Sequence, residues 1–197
     1  MRKSLLIATA IFCVSGGLGA YAENASTEKF RSIAAVENAT NPISATITPI
    51  KVKDEAVFSK GVLHVGDQIG FEVTGIEGAK LYILNMDSEG TISMIYPNKF
   101  DEGGEVESED TLMLPQEDSK YHFEATGAGG TEIVKFIAIT GDSSTFDTLL
   151  QGMFDQKDTF PKSIEPASET SDTLNQFFES ANDSAVRETT LEYVITE

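Results

Sequence analysis

Residues 80–98 read KLYILNMDSEGTISMIYPN, and the fold turns on how this stretch is laid out. In an extended chain successive side chains face opposite ways. Leu81 and Ile83 therefore share one face, and Tyr82, Leu84 and Met86 share the other. Both faces are apolar, which predicts a strand covered on both sides and central in its sheet. Asp87-Ser88-Glu89-Gly90 supplies a turn, with Gly90 placed where a positive φ costs least, and Thr91 to Tyr96 returns as the second arm of a hairpin. Pro97-Asn98 ends that arm.

Working outward, Val65-Gly66-Asp67 has tight-turn composition and leads into Gly70 to Thr74, where Phe71 and Val73 alternate as in a half-buried strand. Downstream, Lys99 to Thr111 reads as a charged, glycine-containing loop, and Leu112 to Leu114 as a short apolar run before Pro115. Tyr121, Phe123 and Ala125 alternate with His122, Glu124 and Thr126, giving a half-exposed strand. Gly127 to Gly130 is a turn, and Ile133 to Ile139 is a second two-faced strand. The short connections predict antiparallel order. After Gly141 the period changes. Phe146, Leu149, Leu150 and Met153 follow a Ser144-x-x-Asp147 capping pattern, and Leu174, Phe177, Phe178 and Ala181 repeat the spacing behind Ser171. These are two short amphipathic helices, expected to cover one side of the sheets. Thr189 to Thr196 alternates again and is expected to rejoin the core sheet as the last strand. The fold class is mainly β, an antiparallel β-sandwich with one or two short helices before the last strand.

The first residues read as a secretory signal. Arg2 and Lys3 precede an apolar run from Leu5 to Val14, and Ala20-Tyr21-Ala22 has the small-x-small form of a cleavage site. Cleavage after Ala22, and a periplasmic or secreted location, are the expectations. The run is too short to span a bilayer, so no integral membrane segment is expected. Cys13, the single cysteine, lies in this leader, and Phe12 stands immediately before it where a lipidated cysteine would require a small residue. Residues 23–45 are rich in Asn, Thr, Ser and Ala and are expected to form a flexible leader, although Phe30, Ile33 and Ala34 have spacing that permits a short helix. The domain is expected over residues 46–197. Loss of residues 1–22 removes two cations and no acid, taking the net charge from −18 to −20. Such a charge disfavours nucleic acid and anionic lipid as partners, because both are polyanions.

The order VGDQIGFEV, KLYILNMDSEGTISMIYPNKFD, LMLP, YHFEA and GTEIVKFIAIT, running from Val65 to Thr140, resembles the bacterial domain-of-unknown-function family 4384. Its most specific element is the hairpin ending in Tyr96-Pro97-Asn98. The resemblance implies an Ig-like sandwich with an accessory or interaction role. It brings no catalytic residues.

Asn85-x-Asp87-x-Glu89-Gly90 has the form of the start of a calcium loop, but the bidentate acid such a loop needs would fall on Tyr96, so a plain hairpin turn is expected. The loop carrying Asp101, Glu102, Glu105, Glu107, Glu109 and Asp110 is expected to be solvated, with loose cation binding as its other reading. His64 and His122 stand in no metal-ligand or nucleophile motif. Gly127-Ala128-Gly129-Gly130 joins two strands and opens no helix, so it is no phosphate cradle. Asn24-Ala25-Ser26, Asn38-Ala39-Thr40 and Asn182-Asp183-Ser184 match glycosylation acceptors by chance. No catalytic, metal or cofactor residue is expected. The function expected is a non-catalytic exported accessory domain that binds another envelope or secreted protein. A carboxylate-dependent hydrolase of envelope or extracellular polymers, or an acidic cation-binding module, are the alternatives. Two carboxylates converging in a concave pocket would mark the hydrolase.

Overall fold

A computed structural model describes residues 25–34, 42–106, 111–180 and 185–197. The expected signal segment, acidic-loop residues 107–110 and all or part of each Asn-x-Ser/Thr match lie outside the described residues.

The two-faced reading of residues 80–86 holds. β4 (Ala79–Met86) lies inside a seven-stranded sheet, between β8 (Gly130–Thr140) and β5 (Ile92–Tyr96). Across that sheet the order is β2 (Val62–His64), β11 (Val186–Thr196), β8, β4, β5, β10 (Lys162–Ser163) and β9 (Phe154–Asp155). A smaller sheet places β3 (Gln68–Thr74) between β1 (Ser44–Lys51) and β6 (Thr111–Leu114), with β7 (Phe123–Glu124) also on β3. Pairing is antiparallel except for β11 with β2.

Alternation along the central strands then builds two cores. Leu81 and Ile83 of β4 meet Val134 and Phe136 of β8 and, from the small sheet, Phe71 and Val73. Tyr82, Leu84 and Met86 face the other way with Ile133 and Ile137, onto a helical layer. That layer consists of α1 (Ala25–Arg31), α3 (Ser144–Met153) and α4 (Ala167–Ser180); a single turn, α2 (Glu55–Phe58), lies between β1 and β2. Phe146 of α3 packs edge-on against Tyr82 at 4.8 Å between ring centres. The helices cover the outer face of the large sheet, as expected of them.

Four details depart from the sequence reading. Within the expected flexible leader, residues 25–34 form a docked element: α1 inserts Phe30, and Ile33 follows, both with no exposed surface. The anchor is Lys135 of β8, 1% exposed, whose ammonium reaches the Arg31 carbonyl (2.7 Å), Glu188 Oε2 (2.6 Å) and Thr190 Oγ1 (3.0 Å). Three acceptors match its three protons, although burial pulls its pKa below the usual lysine value. Second, β1 starts the sheet at Ser44, slightly ahead of the expected boundary. Third, Ser144 is the first residue of α3 and caps nothing with its side chain, and Asp142 accepts the Ser144 amide instead (2.9 Å). Fourth, α4 begins at Ala167, a turn before Ser171, because Pro166 offers its carbonyl to the Glu169 and Thr170 amides; Ser171 is then buried inside the helix.

The last strand rejoins the core. β11 pairs with β8 from Val186 to Ile195, and Tyr193 and Ile195 are buried between the sheets.

Candidate functional site

At one end of the sandwich the sheets part around a cleft of about 250 Å³. Its roof is the β4–β5 turn at Ser88 and the Gly-rich β7–β8 loop, joined where Ser88 Oγ donates to the Gly129 carbonyl (2.9 Å). Gly130 is required here, since a Cβ on it would lie 2.6 Å from that of Ser88. Phe71 and Phe123, with ring centres 5.3 Å apart, line the small-sheet side, and Phe160 packs beside Phe123 at 6.0 Å.

The floor is polar. Phe136 and Val134 place the even-numbered side chains of β8 between the sheets, and the same phase carries Glu132 inward, where it is 8% exposed. Tyr193 is its direct partner across the β8–β11 ladder, and Asn85 is paired with Val134 two residues along. Cross-strand neighbours on one face are in contact. Accordingly the Tyr193 hydroxyl and Asn85 Nδ2 both donate to Glu132 Oε2, each at 3.0 Å. Burial pushes the Glu132 carboxyl above its ordinary value; the two hydrogen bonds oppose the rise and the charge of Asp87 adds to it. Burial likewise raises Tyr193, so its hydroxyl keeps its proton and stays a donor. Among the described residues no cation pairs with Glu132.

A second cleft, of about 440 Å³, opens near the start of α3. Lys80 donates to both Asp147 oxygens (2.8 and 3.0 Å), the Tyr82 hydroxyl donates to Oδ1 (2.8 Å), and Ser143 reaches Oδ2 (3.2 Å). Burial pushes Asp147 up, but these bonds outweigh it and hold the carboxyl below its usual range. Here charge is already compensated. The two clefts differ in that respect, and the uncompensated carboxylate makes the first the candidate site.

The calcium-like pattern of the hairpin comes apart in space. Asn85 points between the sheets, whereas Asp87 Oδ1 closes its own turn on the amides of Glu89 (3.0 Å) and Thr91 (2.8 Å). In the acidic loop, Asp101 accepts the Gly103 amide, and the backbone at Glu105 forms an isolated antiparallel β-bridge with that at Lys80. No three acidic, histidine or cysteine side chains gather to hold a metal among the described residues. His64 hands its amide to buried Asp67 (2.8 Å), which also takes that of Lys53 (2.9 Å), so Asp67 ties the loop after β1 to the turn after β2. His122 is exposed beside Glu124 at 3.4 Å. Sequence reasoning missed Glu132 and Tyr193 as a pair. The available signal was one polar residue in phase with Val134, Phe136 and Ala138.

No helix of the described residues is long and apolar enough to cross a membrane. No curated protein and no solved structure matches the chain. Residues 62–141 match the model of a family described as a domain of unknown function, DUF4384. All but three of the residues lining the Glu132 cleft, namely Phe160, Lys162 and Tyr193, lie inside that stretch. The segment from β2 to the end of β8, with the cleft floor at Glu132 and Asn85, is thus the part of the chain that is similar to the DUF4384 family.

Proposed function

We propose that this is an exported, non-catalytic accessory domain that binds another protein of the bacterial envelope or secreted fraction. The observation that carries the reading is the Glu132 cleft. It offers one buried carboxylate held by two neutral donors, beneath aromatic walls, in a chain of net charge −18. That arrangement suits recognition: the donors fix the carboxylate, and the apolar walls favour a ligand with an apolar stem. The leader ending at Ala22 supports export, and long-range attraction from the acidic surface would speed encounter with a basic partner.

The test is a crosslinking pull-down from envelopes and culture medium at low and at physiological salt, with intact-mass analysis of the exported bait. The expected result is a specific protein whose yield falls as salt shortens the screening length toward about 8 Å, captured by a chain that begins near Glu23.

One observation favours a second reading. Glu132 is raised by burial and by Asp87, which is how a hydrolase separates an acid from a base. Against it, Asp87 Oδ1 is engaged by two amides of its own turn. Turnover of a glycan or peptide that disappears in both Glu132→Gln and Asp87→Asn, with no protein captured, would put the hydrolase in place of the binding domain.

A further inference from the structure

We propose that the Glu132 cleft binds an alkylammonium group, presented as the end of a lysine side chain. The identity of the donor as a partner protein rests on the reading above; the chemistry of the cleft does not.

The argument begins with an imbalance. A carboxylate this deeply buried is costly unless it is paired or fully hydrogen-bonded. Both donors to Glu132 converge on Oε2, and among the described residues nothing donates to Oε1. Beside it, Asn85 Oδ1 is enclosed and likewise lacks a donor. Glu132 Oε1 is thus the acceptor that faces the cavity, with the enclosed Asn85 Oδ1 beside it. An ammonium has three N–H donors and a positive charge, and supplies what Oε1 lacks.

The walls select for the same group. Phe71, Phe123, Phe160 and Tyr193 surround the space above the carboxylate. Aromatic faces attract cations through their quadrupole and shelter methylene groups from water. A volume near 250 Å³ is that of roughly eight waters at liquid density, room for a four-carbon stem with its ammonium. Asp87, Glu89 and Glu124 lie at the same cleft and extend its negative potential outward. An anionic ligand is disfavoured by those charges, and a divalent metal by the absence of a third acidic or histidine ligand among the described residues. Lys162 also lines the cleft, but its side chain is exposed and makes no ion pair among the described residues. It is the competing occupant.

The test titrates the purified protein with butylammonium chloride, following backbone amide resonances, with 1-butanol as the uncharged control. N-acetyl-lysine amide and its Nζ-acetylated form make a second pair. Saturable shifts at Asn85, Glu132 and Tyr193 are expected with each ammonium compound and with neither neutral one. Glu132→Gln should bind the ammonium about tenfold more weakly or worse, whereas Glu179→Gln, which removes an exposed acid of α4 away from the cleft, should stay within about threefold of the parent. Equal binding of butanol, unchanged affinity in Glu132→Gln, no saturable shift in the parent, or binding that appears only after Lys162→Ala would each overturn the proposal. If the amines fail while the pull-down still captures a specific protein, the cleft assignment falls and the binding function stands. If the amines bind and no protein is captured, the cleft stands with a free amine as its ligand.

Discussion

At Glu132 a single residue sets a pH dependence. Burial raises its carboxyl from the ordinary 4.5, so folding favours the protonated form. Below the ordinary value the folded and unfolded chains both hold the proton, and the residue leaves stability unchanged. As pH rises past it, the unfolded chain loses the proton while the folded chain retains it, and stability falls until the raised value is passed. The loss is about 1.4 kcal/mol for each unit by which burial moves the group. Glu132→Gln cannot ionise. Urea denaturation of both proteins from about pH 4 to about pH 8 should show little difference at the acid end and a more stable variant at the alkaline end. A parent whose advantage grows with pH would contradict this. The inward phase of Val134 and Phe136 was legible in the sequence, because alternation announces which residues share a face. Whether an acid in that phase is buried or sits at a frayed end depends on Tyr193, some sixty residues away, and on the strand order that brings it across the ladder.

Among the elements, α1 shows where local signals run out. Phe30, Ile33 and Ala34 have helical spacing, yet seven helical residues are too few to hold a helix in water without tertiary contacts. What holds this one is the apolar layer over the large sheet and the Lys135 ammonium on the Arg31 carbonyl. Both come from chain distant in sequence, so composition alone suggested a mobile segment. Phe30→Ala should cost about 3–5 kcal/mol, the usual figure for emptying a fully buried aromatic site. Lys29→Ala, which removes a half-exposed ion pair to Asp172, should cost under about 1 kcal/mol. Chemical denaturation of the two variants separates the cases, and equal small losses would show α1 to be dispensable. The late helix α4 fails differently: its apolar spacing locates it, but the burial of Ser171 inside the helix, a turn past the start at Ala167, cannot be seen from its neighbours in sequence.

For the whole molecule, the sandwich was legible because alternation, turn chemistry and helical period agree along the chain. The sheet order was not, since β2 joins parallel to β11 and neither strand carries a mark of that pairing. β11 adds Tyr193 and Ile195 to the inner core and completes the ladder of β8. Each such side chain contributes roughly 1.5–3 kcal/mol on burial, so the pair supplies about 3–6 kcal/mol, and the lost β8 ladder adds to a sum that reaches the lower end of ordinary domain stability, about 5–15 kcal/mol. Deleting residues 189–197 should therefore abolish cooperative melting by circular dichroism. A truncated chain that melts at the parent temperature would show the strand to be ornamental.

The place of β11 also sets a clock. β8 ends at Thr140 and its ladder partner begins at Val186, about 45 residues later. A ribosome adding about 5–20 residues per second needs roughly 2–9 s to cover that interval. Throughout it, β8 is an apolar strand with no β11 along one edge, the kind of surface that recruits other chains. A nascent chain in this condition keeps that edge open to other strands until its final segment is made.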